Sequence, residues 1–340
     1  MQTGRAQLVQ RRRCYSSLLS PVRCLLIEIF GKIFVYTTRD RPRHLLNLSA
    51  VCRLWRDAAL GTSMLWLTLE LGHHTTRCNM NNHINSWIER AHSYPLSLVI
   101  RKQDDCLDPV SSVITLIPKH QWKSITLDSR RKSILSILKE LEFSNLEMLE
   151  SLSLAPRLCF EFRPTNALRY APNLKTLSLY ILYFVVSLDT LPFPWRQLTI
   201  LTITLWYSNT GVDTILRACV NLEEFIFHCE GVGRSILGSI TLNYLRKLHA
   251  HCVDTMFLLS LDTPSIQDLS VTNQKYPPYD LNLKRNIFHY LNKHGVTLLK
   301  LFIAPSESRL VRSFPYIRSL CGAQTLRCPL WIWIDDVRDS

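Results

Sequence analysis

An apolar triplet with the spacing Leu-x-x-Leu-x-Leu recurs along most of this 340-residue chain, and its period limits the fold more than any other feature. Successive copies start 27, 25, 24, 24, 23 and 21 residues apart. Such a period predicts a solenoid, in which each copy forms one unit that stacks on the next. The copies comprise Trp122, Ile125, Leu127; Leu149, Leu152, Leu154; Leu174, Leu177, Leu179; Leu198, Leu201, Ile203; Leu222, Phe225, Phe227; Leu245, Leu248, Ala250; and Ile266, Leu269, Val271. Looser copies follow at Leu298, Leu301, Ile303 and at Ile317, Leu320.

Each triplet predicts a short β-strand that buries one face. The second and third apolar residues are two positions apart, so both point to the same side of the strand. The residues between them point to the opposite side. Because one unit cannot bury its own apolar face, neighbouring strands must stack side by side. Asn-Leu pairs at 145–146, 173–174 and 221–222 predict a turn that leads into the strand.

The repeated unit resembles an irregular, divergent leucine-rich repeat, although the Asn that follows the strand in the full motif is mostly missing. This resemblance implies parallel strands on a concave face and helices or irregular returns on the convex face. We expect return helices over 109–119 and 133–143.

The region before the repeats concentrates apolar residues at helical spacing between Pro21 and Trp66. A first helix, with Ser20 as N-cap and Pro21 as first residue, is predicted to present one apolar face. That face comprises Val22, Leu25, Leu26, Ile29, Phe30, Ile33 and Phe34. A second helix is predicted between a cap at Ser49 and a stop at Gly61, with Val51, Cys52, Trp55 and Ala59 on its face. About 45 residues rarely bury so much apolar area, so a partner should cover it.

These three blocks resemble an F-box, the module that docks on the SKP-type adaptor of SCF cullin–RING ubiquitin ligases. The matching residues are Leu25, Leu26, Glu28, Ile29 and Phe30, then Val51, Cys52 and Trp55, then Leu65 and Trp66. The sequence departs from the family at Pro21, Val22 and Cys24. The resemblance implies that the adaptor is bound by Leu25, Leu26, Ile29, Phe30, Val51, Cys52, Trp55, Leu65 and Trp66.

Together the two parts resemble fungal-type F-box proteins with divergent leucine-rich repeats. The fold class is therefore predicted to be α/β, with an all-α head followed by the solenoid. We expect a basic arm over 1–17, the F-box-like domain over 18–67, a linking segment with one helix (81–92) over 68–95, and repeats over 96–335, the first strand being 96–100. The resemblance implies a cytoplasmic or nuclear substrate-recognition subunit that has no cofactor and is not an enzyme.

The formal charge of +13 is concentrated at the N-terminus. The first 60 residues hold 11 Lys/Arg against three Asp/Glu, whereas the remaining 280 hold 29 against 24. Nucleic acid is therefore an unlikely partner, because no long basic groove is indicated. Five arginines without an acid before Glu28 leave a mitochondrial presequence as an alternative.

The absence of Cys-x-x-Cys pairs among eleven cysteines fits a reducing compartment. No apolar run is long enough for a membrane span.

The sequence contains no recognisable catalytic motif, and Gly231-Val-Gly233 lacks the third glycine of a phosphate loop. His228, His249 and His251 are predicted to lie close together on the outward strand face. They permit two readings, a zinc site or part of a protein-binding surface, and the second is preferred. The predicted target-binding residues are Tyr180, Glu224, His228, Lys247, His249, His251 and Asp268. The alternative function is a scaffold whose degenerate F-box packs on its own repeats.

Overall fold

The computed structural model describes residues 22, 25–38, 44–71, 80–102, 122–129, 146–156, 168–169, 171–181, 191–205, 211–229, 238–252, 256–272, 286, 289–293 and 300–304. The chain divides into two compact units. The first, the head, comprises Met1–Glu70 and Cys78–Leu96, and the second, the solenoid unit, comprises Leu71–Arg77 and Ser97–Ser340.

The head is helical. Its elements are α1 (Ile27–Thr38), α2 (His44–Val51), α3 (Arg53–Gly61), a 3-10 helix (Ser63–Trp66), β1 (Thr68–Leu71) and α4 (Met80–Ala91). The α4 helix lies where one was expected over 81–92, and it begins one residue earlier, at Met80. Ser20 and Pro21, the predicted start of the first helix, lie outside the described residues.

The predicted cap at Ser49 is wrong. Ser49 lies inside α2, where its hydroxyl donates to the Leu46 carbonyl oxygen at 2.8 Å. The chain is extended at Cys52, which is the N-cap of α3. The predicted single helix is therefore two helices with a break at Cys52, and Gly61 is the last residue of the second.

Aromatic side chains build the core of the head. The rings of Phe30, Phe34 and Trp55 lie with centroids 5.1 to 5.9 Å apart. Trp66 meets Trp87 of α4 edge to face at 4.7 Å, and its indole N–H donates to the Ala59 carbonyl oxygen at 2.9 Å. These contacts join α1, α3, the 3-10 helix and α4 into one core, since aromatic pairs add stability beyond the area that they bury.

Gly31 is required where α1 approaches the end of α3. A Cβ atom at residue 31 would lie 2.5 Å from Thr62 Oγ1. That hydroxyl donates to the Ala58 carbonyl oxygen at 2.8 Å, so it is held in place. Any larger side chain at residue 31 would therefore separate the two helices.

The solenoid unit is built on parallel strands. They are β2 (Leu96–Lys102), β3 (Trp122–Ser129), β4 (Ser151–Pro156), β5 (Thr176–Ile181), β6 (Ile200–Leu205), β7 (Glu224–Cys229), β8 (Ile240–Thr241), β9 (Lys247–Cys252), β10 (Leu261–Asp262), β11 (Asp268–Thr272) and β12 (Lys300–Ala304). In the main sheet the order is β2-β3-β4-β5-β6-β7-β9-β11-β12, and every described pairing from β3 onward is parallel. β8 and β10 form a separate parallel pair.

The predicted buried face of each strand is confirmed. All 21 residues of the seven triplets are buried. Equivalent positions pair in register on neighbouring strands. Leu177 pairs with Leu201, Leu201 with Phe225, and Phe225 with Leu248. The looser copy at Leu301 and Ile303 lies on β12, and Ile317 and Leu320 lie outside the described residues, as do the expected return helices.

In five of the seven repeats the residue three positions before the triplet is also buried. The first triplet residue donates its backbone N–H to the carbonyl oxygen of this position, as Leu222 does to Cys219 and Leu245 to Leu242. The buried residues at this position are Leu146, Ala171, Cys219, Leu242 and Thr263. Burial raises the pKa of the Cys219 thiol to about 12, so it serves as a small apolar side chain there.

Side-chain amides tie successive repeats together. Asn173 Nδ2 donates to the Glu147 carbonyl oxygen at 2.6 Å, and Asn221 Nδ2 donates to that of Arg196 at 2.8 Å. The Asn-Leu pair therefore does more than form the predicted turn, because its amide satisfies a backbone group of the preceding repeat.

Short helices lie between some strands. They are a 3-10 helix (Trp195–Gln197), α5 (Val212–Ala218) and α6 (Met256–Leu259). None of the helices that the structure describes has the length and apolar character needed to cross a bilayer.

Gly31→Ala is expected to destabilise the head, although alanine favours a helix by about 1 kcal/mol over glycine. The new methyl group would force α1 and Thr62 apart, which should lower the free energy of unfolding by about 1–3 kcal/mol. Hydrogen exchange of the α1 and α3 amides measures the change. The matched control is Gly61→Ala, since a Cβ atom there meets no atom within 4 Å. Equal losses in both variants would contradict the packing described.

Asn221→Ala is expected to reduce the local stability of β7 by about 0.5–1.5 kcal/mol, because it removes the hydrogen bond to Arg196. Asn243→Ala is the control, as this exposed asparagine lies in the corresponding turn two residues before Leu245. Hydrogen exchange of the β6 and β7 amides provides the readout. If Asn243→Ala were as damaging as Asn221→Ala, the inter-repeat bond would have no special role.

Candidate docking surfaces

The first helix of the head carries apolar side chains on two adjacent stripes. Phe30 and Phe34 form one stripe, which is buried. Leu26, which immediately precedes the helix, forms the second stripe with Ile29 and Ile33 at spacings of three and four residues. All three side chains are exposed. The predicted single apolar face is therefore divided, because the other helices of the head cover only half of it.

Further large apolar side chains are exposed just before α1, within it and in α2. We call the set the head patch, and it comprises Leu25, Leu26, Ile29, Ile33, Tyr36, Leu46 and Val51. Exposed fractions are 69% for Leu26 and 59% for Val51. Soluble monomers rarely leave large apolar side chains exposed in such number over so few residues, so the head patch is a candidate interaction surface.

The structure divides the nine predicted adaptor-binding residues. Leu25, Leu26, Ile29, Val51 and Cys52 are exposed. Phe30, Leu65 and Trp66 are buried in the head, and Trp55 is half-buried against Phe30 and Phe34. These four side chains hold the helices together, so only the five exposed members are available at the surface as candidate contacts.

Three members of the head patch were not predicted as adaptor contacts. Ile33 and Tyr36 extend the spacing of Leu26 and Ile29 by another turn, and this continuation was a usable signal. Leu46 lies in α2, next to buried Leu45, in a segment where no helix was predicted. Its exposure could not be predicted from spacing alone.

The outward face of the sheet brings the predicted target-binding residues together in rows. One row runs through Glu224, Lys247 and Asp268, and another through Tyr180, Thr204, His228 and His251. His249 lies between these rows, paired with Ile226. All seven predicted residues therefore share one face of the sheet, at register positions that the triplets define.

Charges on this face alternate across neighbouring strands. Glu224 Oε2 lies 3.3 Å from Lys247 Nζ, and Asp268 pairs in register on the other side of Lys247. An exposed ion pair of this kind contributes about 0–1 kcal/mol to stability. Its main effect is to set negative and positive charges in alternation along the row, which a partner of complementary charge can match.

The histidines lie at the other end of the same strands. The ring centroids of His228 and His251 are 5.3 Å apart. Burial, together with the neighbouring imidazoles of His251 and His249, lowers the pKa of His228. The unprotonated ring is therefore favoured at neutral pH. Among the described residues, no group of three or more His, Cys, Asp or Glu side chains could hold a metal ion.

Comparison with known proteins identifies the class of the head. Residues 25–71 match the family model described as F-box-like. No curated protein and no solved structure gives a significant match to the chain. The chain thus has an N-terminal helical F-box-like region followed by a solenoid-like sheet of parallel strands. F-box domains typically bind SKP-type adaptors and are generally not catalytic.

Phe34→Ala and Leu26→Ala are expected to differ sharply in stability. Removing the fully buried Phe34 ring should cost the head about 3–5 kcal/mol. Leu26→Ala should change the free energy of unfolding by less than about 0.5 kcal/mol, because Leu26 is mostly exposed. Thermal unfolding and hydrogen exchange in α1 and α3 measure both. A large loss in Leu26→Ala would show that this residue belongs to the core.

Proposed function

We propose that this chain is a substrate-recognition subunit of an SCF-type cullin–RING ubiquitin ligase. In this proposal the head patch docks on a SKP-type adaptor, which in turn joins the cullin. The outward face of the solenoid unit binds a target protein. The observation that supports the proposal most directly is the F-box-like match at residues 25–71 combined with the exposure of the head patch.

The apolar area of the head patch suits a permanent or long-lived partner. Full burial of one Leu, Ile or Val side chain contributes about 1.5–3 kcal/mol. Association costs roughly 4–15 kcal/mol in lost translational and rotational freedom, so several such residues must be buried together. The stripe of Leu26, Ile29 and Ile33, extended by Leu25 and Val51, supplies that number.

The departures at Pro21, Val22 and Cys24 affect only the start of the F-box motif. The head patch draws on residues from Leu25 onward, so docking does not depend on those three positions. We therefore propose that the altered start is compatible with adaptor binding.

The solenoid unit supplies the second half of the proposed function. We propose that its strands belong to divergent leucine-rich repeats. Their outward rows bind the target through Tyr180, Glu224, His228, Lys247, His249, His251 and Asp268. The receptor itself makes and breaks no bonds; it raises the effective concentration of the target near the ligase. Such a role places the protein in the cytoplasm or the nucleus.

Leu26→Glu and Val51→Lys are each expected to weaken adaptor binding strongly while preserving the fold. Glutamate just before the start of α1 and lysine at the end of α2 both suit the helix dipole, so stability should change little. Loss of a central apolar contact costs at least about 2 kcal/mol, which corresponds to roughly 30-fold weaker binding. Co-purification and calorimetry of the full chain with a SKP-type adaptor measure the effect.

The matched control is Val220→Lys, since Val220 in the solenoid unit has a similar exposed fraction of 52% and lies just after the end of a helix. This variant should bind the adaptor as the unmodified chain does. If the unmodified chain shows no affinity for the adaptor, the proposal is wrong and the scaffold alternative takes its place. Equal losses in Val51→Lys and Val220→Lys would also contradict docking through the head patch.

A further inference from the structure

The geometry points to a divalent transition-metal site formed by His228 and His251 on the outward face of the sheet. The ligand class is a borderline-soft ion that accepts imidazole nitrogen, for which Zn²⁺ is the natural probe. This inference does not depend on the proposed ligase function, because it concerns a pair of side chains in the solenoid unit alone.

Both histidines are fixed by the register of two parallel strands. His228 of β7 pairs directly with His251 of β9, and these strands lie between β6 and β11 in the sheet. Adjacent strands are about 4.8 Å apart, so side chains at paired positions of one face are immediate neighbours. The backbone therefore holds the two imidazoles together before any ion binds, which reduces the entropic cost of chelation.

The distance between the rings matches that of two imidazoles on one ion. With zinc–nitrogen distances of about 2.0–2.1 Å and tetrahedral angles, the ring centroids of two ligands lie roughly 5 Å apart. The centroids of His228 and His251 are 5.3 Å apart. The separation of the two rings is therefore that of two imidazoles bound to one ion.

The electrostatic surroundings favour ligation as well. An imidazole binds a metal only in its unprotonated form, so uncharged neighbours suit the site. The flanking positions of the same row are the uncharged Thr204 and Thr272. The Glu224–Lys247 ion pair lies four residues away along the strands, roughly 13 Å at the usual strand rise.

The site offers two protein ligands. A tetrahedral ion needs four, so two positions remain for water or for a side chain of a bound protein. His249 lies two residues before His251 on the same face, but opposite Ile226 rather than opposite His228. We therefore expect moderate affinity, with the bound ion exposed on the surface that we assign to target binding.

A titration of the full chain with ZnCl2, with histidine labelled at the ring carbon Cε1 and observed by NMR, tests the site. His228 and His251 signals should shift together, with one shared concentration dependence. The signal of His289, an exposed histidine outside the strands, should not follow that curve. His251→Ala should weaken the zinc response of His228 at least about tenfold, because a single imidazole lacks the chelate advantage.

His289→Ala is the matched control and should leave the response of His228 unchanged. His251→Asn and His228→Asn keep a polar side chain of similar size, so they give the same answer if an alanine variant does not fold. Different concentration dependences for His228 and His251 would overturn the inference. A response of His228 that is unaffected by His251→Asn would do so as well.

Discussion

The in-register stacking of apolar rows across parallel strands is the interaction on which the solenoid unit depends. Leu177, Leu201, Phe225 and Leu248 occupy equivalent positions and are completely buried, so each strand covers the side of the next. A shift of one residue would turn every core side chain outward, and the register is therefore strongly specified. The register also fixes which residues of the outward rows are neighbours, because these residues alternate with the buried ones along each strand.

The head differs from the solenoid unit, because its helices bury only part of their apolar surface. The rings of Phe30, Phe34 and Trp55 form a closed core, and Gly31 lets α1 approach the end of α3. The adjacent stripe through Leu26, Ile29 and Ile33 remains exposed. Exposed apolar area carries a solvation cost, so a structure that retains it is consistent with a partner that covers it.

The sequence allowed the strands to be predicted far better than the helical caps. The triplets gave the buried face of each strand and the pairing of His228 with His251, because period and register follow directly from strand geometry. The buried position three residues before five of the triplets was missed. Its occupants include leucine, alanine, cysteine and threonine, so composition gave no signal there. Ser49 failed as a cap because its hydroxyl bonds within α2 and the extended residue is Cys52. Spacing likewise could not show which stripe of α1 the neighbouring helices would cover.

The two candidate surfaces differ in the kind of binding that their chemistry permits. The head patch is apolar, so its affinity comes from removing area from water and depends little on pH or salt. The outward strand face instead combines an ion pair, hydroxyl groups and imidazoles, whose contacts depend on partner charge and on protonation. In the proposed function the adaptor occupies the first surface, since an apolar surface discriminates little between partners. A particular target suits the second, because the alternation of Glu224, Lys247 and Asp268 favours one charge pattern and disfavours others.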